Sequence, residues 1–296
     1  MTRRYAAAMV LGLAGCASGP HVQRAPLALP LAESMTVEVR LTQHEIFVSH
    51  DVSNAGSAAG LQAASSPGVA AGGFRAGAAA GLIGALVDAA VNAHRSSVAE
   101  EAARPLHEHM SGIDIDALVY QSVDALSPAS FAHALRVEHL DKAEADDEKE
   151  GRLEPGGPVL VLAPAYSVSY DGKSFVYVLK ATVVDRVRGA GGKLTSSTRY
   201  HQLFEYVADD SDIAGGVSPA QLSADQWKAL LEQASGETVA MLNYDIGSQP
   251  GDGLPQREYG RMRVLLDQDK GSRSWVRTNF SLLSVASASL KPHGNS

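Results

Sequence analysis

Apolar and polar residues alternate along three long stretches in the second half of the chain, which is the pattern of half-buried β-strands. The stretches cover residues 159–170, 173–187 and 193–207. Asp171-Gly172 separates the first two and is typical of a two-residue hairpin turn, because both of its central positions need a positive φ. A glycine-rich loop at Gly189–Gly192 separates the second pair. The pattern predicts a meander of three antiparallel strands.

The middle strand of this meander has two different faces. Phe175, Tyr177 and Leu179 fall on one face, followed by Ala181 and Val183. The other face mixes valines with Lys180 and Thr182, so we expect it to be only partly covered. Val37, Val39 and Leu41 predict a further strand near the start, continuing around Ile46–Val48. Residues 261–268 and 272–287, joined by a turn at Asp269–Gly271, predict a C-terminal hairpin.

Two helices are predicted from spacing and capping residues. Asp114 is placed to cap a helix whose apolar positions run from Ile115 to Leu126. Ser223 and Gln226 form a capping box, in which each side chain bonds to the other residue's backbone N–H, and a helix should follow through Ile246. The predicted fold class is therefore α+β, with an antiparallel sheet (the meander plus the C-terminal hairpin) covered by helices on one side.

A third helical segment has small residues at regular intervals. Gly73, Gly77, Gly81 and Gly84 would form one face on which another helix or a sheet can pack closely. Such spacing resembles the glycine zippers of outer-membrane lipoproteins. Arg75 and Asp88 leave only 12 uncharged residues between them, too few to span a bilayer. Packing within the protein, self-association and membrane contact all stay open for this face.

The N-terminus carries the one strong motif. Arg3 and Arg4 precede an uncharged stretch from Tyr5 to Gly15, which is the arrangement of a secretory signal. The tetrapeptide Leu13-Ala14-Gly15-Cys16 then resembles the lipobox of bacterial lipoprotein precursors, and Cys16 is the only cysteine of the 296 residues.

This resemblance implies that signal peptidase II recognises Leu13, Ala14 and Gly15, that Cys16 carries a diacylglyceryl thioether, and that its new amino group is acylated. Ala17 in place of an aspartate implies the outer membrane. The expected organisation is a signal peptide at 1–15, a lipid-anchored tether at 16–34 and a periplasmic domain at 35–296. The charged run at 141–158 is a candidate internal boundary.

The net charge and the candidate chemical motifs argue against several classes of function. The net charge is −8, and removal of residues 1–15 with their two arginines lowers it to −10, which argues against a nucleic-acid partner. Gly216-Val217-Ser218-Pro219-Ala220 resembles a nucleophile elbow, but Pro219 has no N–H to offer an oxyanion. His107 and His109 point apart on a helix and predict no metal site. No catalytic residue and no cofactor is predicted.

The sequence therefore predicts a lipoprotein that acts by non-catalytic protein–protein interaction in the cell envelope. Its predicted partners are the membrane, through the N-terminal lipid, and another envelope protein. Two alternatives stay open, namely a carrier of lipid or another apolar ligand and a lipid-anchored periplasmic hydrolase with a cryptic site.

Overall fold

The structure is a computed structural model, and its description is confined to part of the chain. The described residues are 35–41, 47–49, 104, 106, 108–110, 112–126, 137–139, 158–169, 172–188, 194–209, 212–213, 216–247, 253–278 and 281–293. The predicted signal peptide (1–15), the predicted tether (16–34), Cys16, the predicted glycine face at Gly73–Gly84 and nearly all of the candidate boundary at 141–158 lie outside them.

The described fold contains eleven strands and two α-helices with described bounds, and residues 104, 106 and 108–110 are also helical. The helices are α1 (Ile115–Val123) and α2 (Ala224–Gly247). The strands are β1 (Thr36–Val39), β2 (Phe47–Ser49), β3 (Val137–His139), β4 (Val159–Ser169), β5 (Ser174–Arg188), β6 (Leu194–Asp209), β7 (Gln256–Tyr259), β8 (Met262–Asp269), β9 (Arg273–Arg277), β10 (Ser281–Ala286) and β11 (Leu290–Pro292).

All eleven strands belong to one mixed sheet. Its order is β11-β7-β8-β9-β10-β6-β5-β4-β1-β3, and β2 also pairs with β4. Four of the pairings are parallel, namely β1 with β3, β1 with β4, β2 with β4 and β6 with β10. The parallel contact between β6 and β10 joins the meander to the C-terminal strands.

The predicted fold class is wrong. The described part of the chain is largely sheet with few helices, and the sheet is mixed rather than antiparallel. Parallel partners lie far apart in sequence, as Leu203 and Ser281 do, so no turn signal between them reveals the pairing. The prediction therefore joined neighbouring strands as hairpins and assigned too large a share of the fold to covering helices.

The central meander is confirmed. β4, β5 and β6 pair antiparallel, and Gly172 adopts a φ of 69° in the turn between the first two. Phe175, Tyr177 and Leu179 lie in the main hydrophobic core, as predicted for this face. A cluster of Val176, Val178 and Leu203 occupies the opposite face, where half-buried Lys180 also lies.

The C-terminal hairpin was predicted with too few strands. Residues 272–287 are two strands, and the Thr278 N–H donates to the Ser281 carbonyl across the turn between β9 and β10. The strands β7 and β11 were not predicted at all. Both are short and carry charged residues, so their alternation of apolar and polar positions is weak.

Helix α2 packs on the sheet and begins at the predicted capping box. The Ser223 N–H donates to Gln226 Oε1 at 2.9 Å, and the Gln226 N–H donates to Ser223 Oγ at 3.4 Å. Trp227 follows one turn later and meets the ring of Phe175 edge-on, with centroids 5.4 Å apart. Asp114 caps α1 through the Ala117 N–H, as predicted. No helix in the described residues is long and apolar enough to cross a membrane.

The same substitution should have opposite effects at two glycines. A Cβ on Gly172 would lie 2.7 Å from the Cβ of Ala220 and would also oppose the positive φ, whereas exposed Gly236 within α2 has open space around it. We expect Gly172→Ala to lower the free energy of unfolding by about 1–3 kcal/mol. Gly236→Ala should raise it by about 1 kcal/mol. Urea denaturation of both variants tests the signs, and a Gly172→Ala variant as stable as wild type would contradict this turn geometry.

Candidate functional site

Few of the residues singled out in the sequence fall in the described structure. Leu13, Ala14, Gly15, Cys16, Gly73, Gly77, Gly81, Gly84 and His107 lie outside it. His109 is exposed. Ser218 precedes a short 3-10 turn at Pro219–Gln221, and Pro219 is buried at the start of that turn, as expected of a loop rather than a nucleophile elbow.

The best-formed polar cluster joins α2 to β9 and β8. Arg277 donates from Nη1 to Asp245 Oδ1 at 2.8 Å and from Nε to Asp267 Oδ2. The three side chains are at most 2% exposed. Burial lowers the pKa of Arg277, but the carboxylates of Asp245 and Asp267 outweigh this effect and leave the pKa raised. Arginine therefore stays charged here.

Two tyrosines complete the bonding of these carboxylates. The Tyr200 hydroxyl donates to Asp245 Oδ2 at 2.6 Å, and the Tyr244 hydroxyl donates to Asp267 Oδ1 at 2.9 Å. Both oxygens of each carboxylate are thus hydrogen-bonded, which is what stabilises charge away from water. We call Arg277, Asp245 and Asp267 the α2 clamp.

A second set of contacts holds the middle of α2. Glu237 Oε1 accepts from the Trp275 ring N–H at 2.6 Å and from the Ser284 hydroxyl at 3.0 Å. Arg273 donates to Ser284 and to the Val207 carbonyl, and its guanidinium lies 4.0 Å from the centre of the Tyr206 ring. Polar groups on this face of the sheet thus bind one another between helix and strands, which indicates a structural role.

Glu205 lies on the opposite face and differs from the carboxylates of the α2 clamp. In register, Val178 of β5 and Leu283 of β10 flank it. Residues directly opposite in a sheet share a face, so the carboxyl group lies within an apolar surface. Glu205 is 2% exposed, and neither oxygen has a partner that meets hydrogen-bond geometry. A buried polar group left without partners costs stability, which makes this position one to be explained by function.

Burial raises the pKa of Glu205 to about 6, and the nearby hydroxyl of Ser281 opposes part of the rise. Burial therefore destabilises the charged form by more than Ser281 stabilises it. At neutral pH most of the carboxyl groups are nevertheless ionised. A group in this state strongly favours any cation or hydrogen-bond donor that can reach it.

Lys180 and His201 lie on the same face, beside the apolar cluster. Lys180 is opposite Leu203 and so diagonal to Glu205. Burial, and then the charge of Arg40, lowers the pKa of Lys180; burial, and then the charge of Lys180, lowers that of His201. His201 Nδ1 lies 3.1 Å from Thr182 Oγ1. We call Val176, Val178, Lys180, Leu203 and Glu205 the Glu205 face.

Comparisons with known proteins identify no relative. No family model matches the chain, and no match was found among curated proteins or solved structures. The described residues also contain no group of three or more His, Cys, Asp or Glu side chains that could hold a metal ion. The geometry of the Glu205 face is therefore the main structural guide to function.

Sequence reasoning found Lys180 on a partly covered face but missed Glu205. The signal was present, because Glu205 is an acid within the apolar run Leu203–Val207. The α2 clamp gave no such signal, since Asp245 and Arg277 lie 32 residues apart. Each looks like an ordinary surface residue until the sheet brings β9 under the helix.

The clamp and an exposed ion pair should differ sharply in their contribution to stability. We expect Arg277→Ala to lower the free energy of unfolding by about 3–5 kcal/mol, because it leaves two buried carboxylates without their cation. Arg199 pairs with Asp185 at the surface, and Arg199→Ala should cost less than about 1 kcal/mol. Urea denaturation measures both values. Equal losses in the two variants would contradict a structural role for the clamp.

Glu205 should make stability depend on pH in the direction opposite to most carboxylates. Its proton leaves near pH 4.5 in the unfolded chain and near pH 6 in the folded protein. The folded state binds more protons in that window, so stability falls as the pH rises through it, by about 2 kcal/mol.

Glu205→Gln cannot ionise and should be more stable than wild type at about pH 7 by a similar amount, with the difference vanishing at about pH 4. Urea unfolding at the two pH values tests this. A difference that does not change with pH would show that Glu205 does not titrate as the structure implies.

Proposed function

We propose that this protein is a lipoprotein anchored at Cys16 on the periplasmic side of the outer membrane, and that it acts by non-catalytic contact with another envelope protein. The contact is made through the Glu205 face, whose Val176, Val178, Leu203 and Glu205 are 2–9% exposed in the free chain, so a partner must displace whatever covers this face. The buried carboxylate of Glu205, unpaired within an apolar surface, is the observation that carries the contact. The lipobox Leu13–Cys16 carries the anchoring.

The proposed anchoring agrees with the number of acyl chains that stable membrane attachment needs. One acyl chain contributes about 0.8 kcal/mol per buried methylene and holds a protein only reversibly, so stable attachment needs a second signal. A diacylglyceryl thioether on Cys16 together with an acylated amino group supplies three chains. Ala17 and Ser18 after the cysteine favour the outer membrane over retention in the inner one.

The proposed contact would supply the hydrogen-bond partners that the carboxylate of Glu205 lacks. Its partner would supply a basic side chain, or a hydrogen-bond donor, surrounded by apolar groups that fit Val176, Val178 and Leu203. Such a pairing satisfies both carboxylate oxygens and excludes water from the bond, which is the composition of an interface hot spot. Lys180 is half-buried and diagonal to Glu205. Its positive charge favours a partner that presents an acidic group there over one that presents a basic group.

The same apolar cluster gives the carrier hypothesis its support. An apolar ligand with an amine or hydroxyl head could occupy the Glu205 face in place of a protein. A protein partner is captured by crosslinking, whereas an apolar ligand is extracted from the purified protein, so the experiment below distinguishes the two.

Anchoring is tested by intact-mass analysis of the protein extracted from envelopes with detergent. We expect a chain that starts at Cys16 and carries the added mass of a diacylglyceryl group and one further acyl chain, and a Cys16→Ala variant without any of these. An unmodified thiol at position 16, or a mature chain that starts elsewhere, would contradict the anchoring.

Contact is tested by crosslinking in intact envelopes, followed by identification of the products. Glu205→Gln changes one charge without changing shape, and Glu232→Gln makes the same change at an exposed position of α2. We expect a protein partner whose yield falls at least about tenfold in Glu205→Gln and is unchanged in Glu232→Gln.

A yield that is equal in the two variants would contradict contact through the Glu205 face. A purified protein that instead holds an extractable apolar molecule, lost in Glu205→Gln, would favour the carrier. Crosslinks absent from wild type would contradict the interaction itself.

A further inference from the structure

Several charged side chains on the described part of the sheet and on α2 have an opposite charge at hand. Five cations lie within 4.0 Å of a carboxylate, namely Arg40, Arg199, Lys228, Arg273 and Arg277. Lys270 lies over the ring of Trp275, 3.4 Å from its centre. The carboxylates offset the charge of the five paired cations, whereas the ring of Trp275 stabilises Lys270 without neutralising it.

The outer strands β8, β7 and β11 carry a group of cations without such a partner. Arg263 of β8 and Lys291 of β11 both lie opposite Glu258 of β7, so the three side chains form one row on one face. Arg261 lies in the turn between β7 and β8. Arg261, Arg263 and Lys291 are exposed, and among the described residues no carboxylate lies within 4.0 Å of any of them.

The single acid of the row is already bonded. Glu258 Oε1 lies 2.9 Å from Nδ1 of His293. We call Arg261, Arg263 and Lys291 the basic face. It is a local excess of positive charge on a protein whose net charge is −8. Charges beyond about 8 Å are screened at physiological salt, so a surface that touches the basic face responds to these cations rather than to the distant acids.

We propose that the basic face binds the anionic phospholipid headgroups of the leaflet that holds the lipid anchor. This inference rests on the anchoring proposed above. Three long, flexible and exposed cations on short strands suit a layer of phosphates, which needs charge but no shaped pocket. The strands there are exposed at Arg263 and Lys291, so the cations can approach a flat surface without rearrangement of the sheet.

The predicted tether is long enough to permit this orientation. β7 and β1 are seven strand steps apart, which at about 4.8 Å each is about 34 Å. The tether at 16–34 has nineteen residues and reaches at most about 60 Å at about 3.1 Å per residue. The basic face can therefore meet the bilayer even though it lies across the sheet from the strand that follows the tether.

The test uses the full chain with Cys16→Ala, which carries no lipid, and measures co-sedimentation with vesicles. One set of vesicles contains phosphatidylglycerol and phosphatidylcholine in equal amounts, and the other contains phosphatidylcholine alone. The triple variant Arg261→Gln, Arg263→Gln, Lys291→Gln is compared with Arg104→Gln, Lys173→Gln, Lys228→Gln, which removes the same charge from other exposed positions. Residues 1–15 are identical throughout, so their own attraction to bilayers cancels in the comparison.

We expect binding to the anionic vesicles to fall about tenfold or more in the basic-face variant and to stay near the parent level in the matched variant. Binding should also weaken as salt is raised, because screening shortens the reach of the charges. Equal losses of vesicle binding in both triple variants would show that only the net charge matters. This result would overturn the proposal.

Binding of the parent chain that is the same to both kinds of vesicle would also overturn it. So would binding of the parent chain, but not of the basic-face variant, to acidic proteins of the envelope in place of vesicles, since the partner would then be of another class. Cys16 lipidation is measured separately on the native protein, so failure of the anchoring and failure of the basic face give different results.

Discussion

The position of α2 depends on the neutralisation of Arg277 by Asp245 in a place that water does not reach. Removing such charges from water costs several kcal/mol for each ion, and close opposite charges with hydrogen bonds offset the cost. Asp267 accepts a second bond from Arg277, and the hydroxyls of Tyr200 and Tyr244 donate to the two carboxylates; Arg277 Nη2 has no hydrogen-bond partner among the described residues. The clamp has one good geometry, so it fixes which turn of the helix meets which strand. The apolar contacts of Trp227 and its neighbours then close the core around that geometry.

The two faces of the sheet differ in how their buried charged side chains are hydrogen-bonded. On the face that carries α2, Arg273, Arg277 and Glu237 each bond to several groups within the protein. On the other face, Glu205 is as deeply buried but has no such partner. A natural protein rarely keeps a buried group that lowers its own stability unless the group serves another purpose. This contrast indicates that stability alone does not explain the residue at position 205.

Local signals allowed part of this fold to be predicted. The meander β4–β5–β6, the cap of α1 by Asp114 and the capping box of α2 all depend on residues within a few positions of one another. The turn between β9 and β10 was missed because it has neither glycine nor proline among residues 278–281. The parallel contact of β6 with β10 and the pairing of Asp245 with Arg277 were missed because each depends on residues tens of positions apart. Glu205 was visible in the sequence, but its lack of a partner is a property of the folded sheet alone.

Strand β10 occupies the position that joins the two halves of the sheet. In the described topology, β7, β8, β9 and β11 connect to the meander only through it. Strand β10 begins 72 residues after β6 ends, so a chain emerging from the ribosome exposes the unpaired side of β6 until Ser281–Ala286 are free. An open strand edge of that length can recruit strands from other molecules. Successful biogenesis therefore requires that the nascent protein be kept from its neighbours until β10 is available to cover β6.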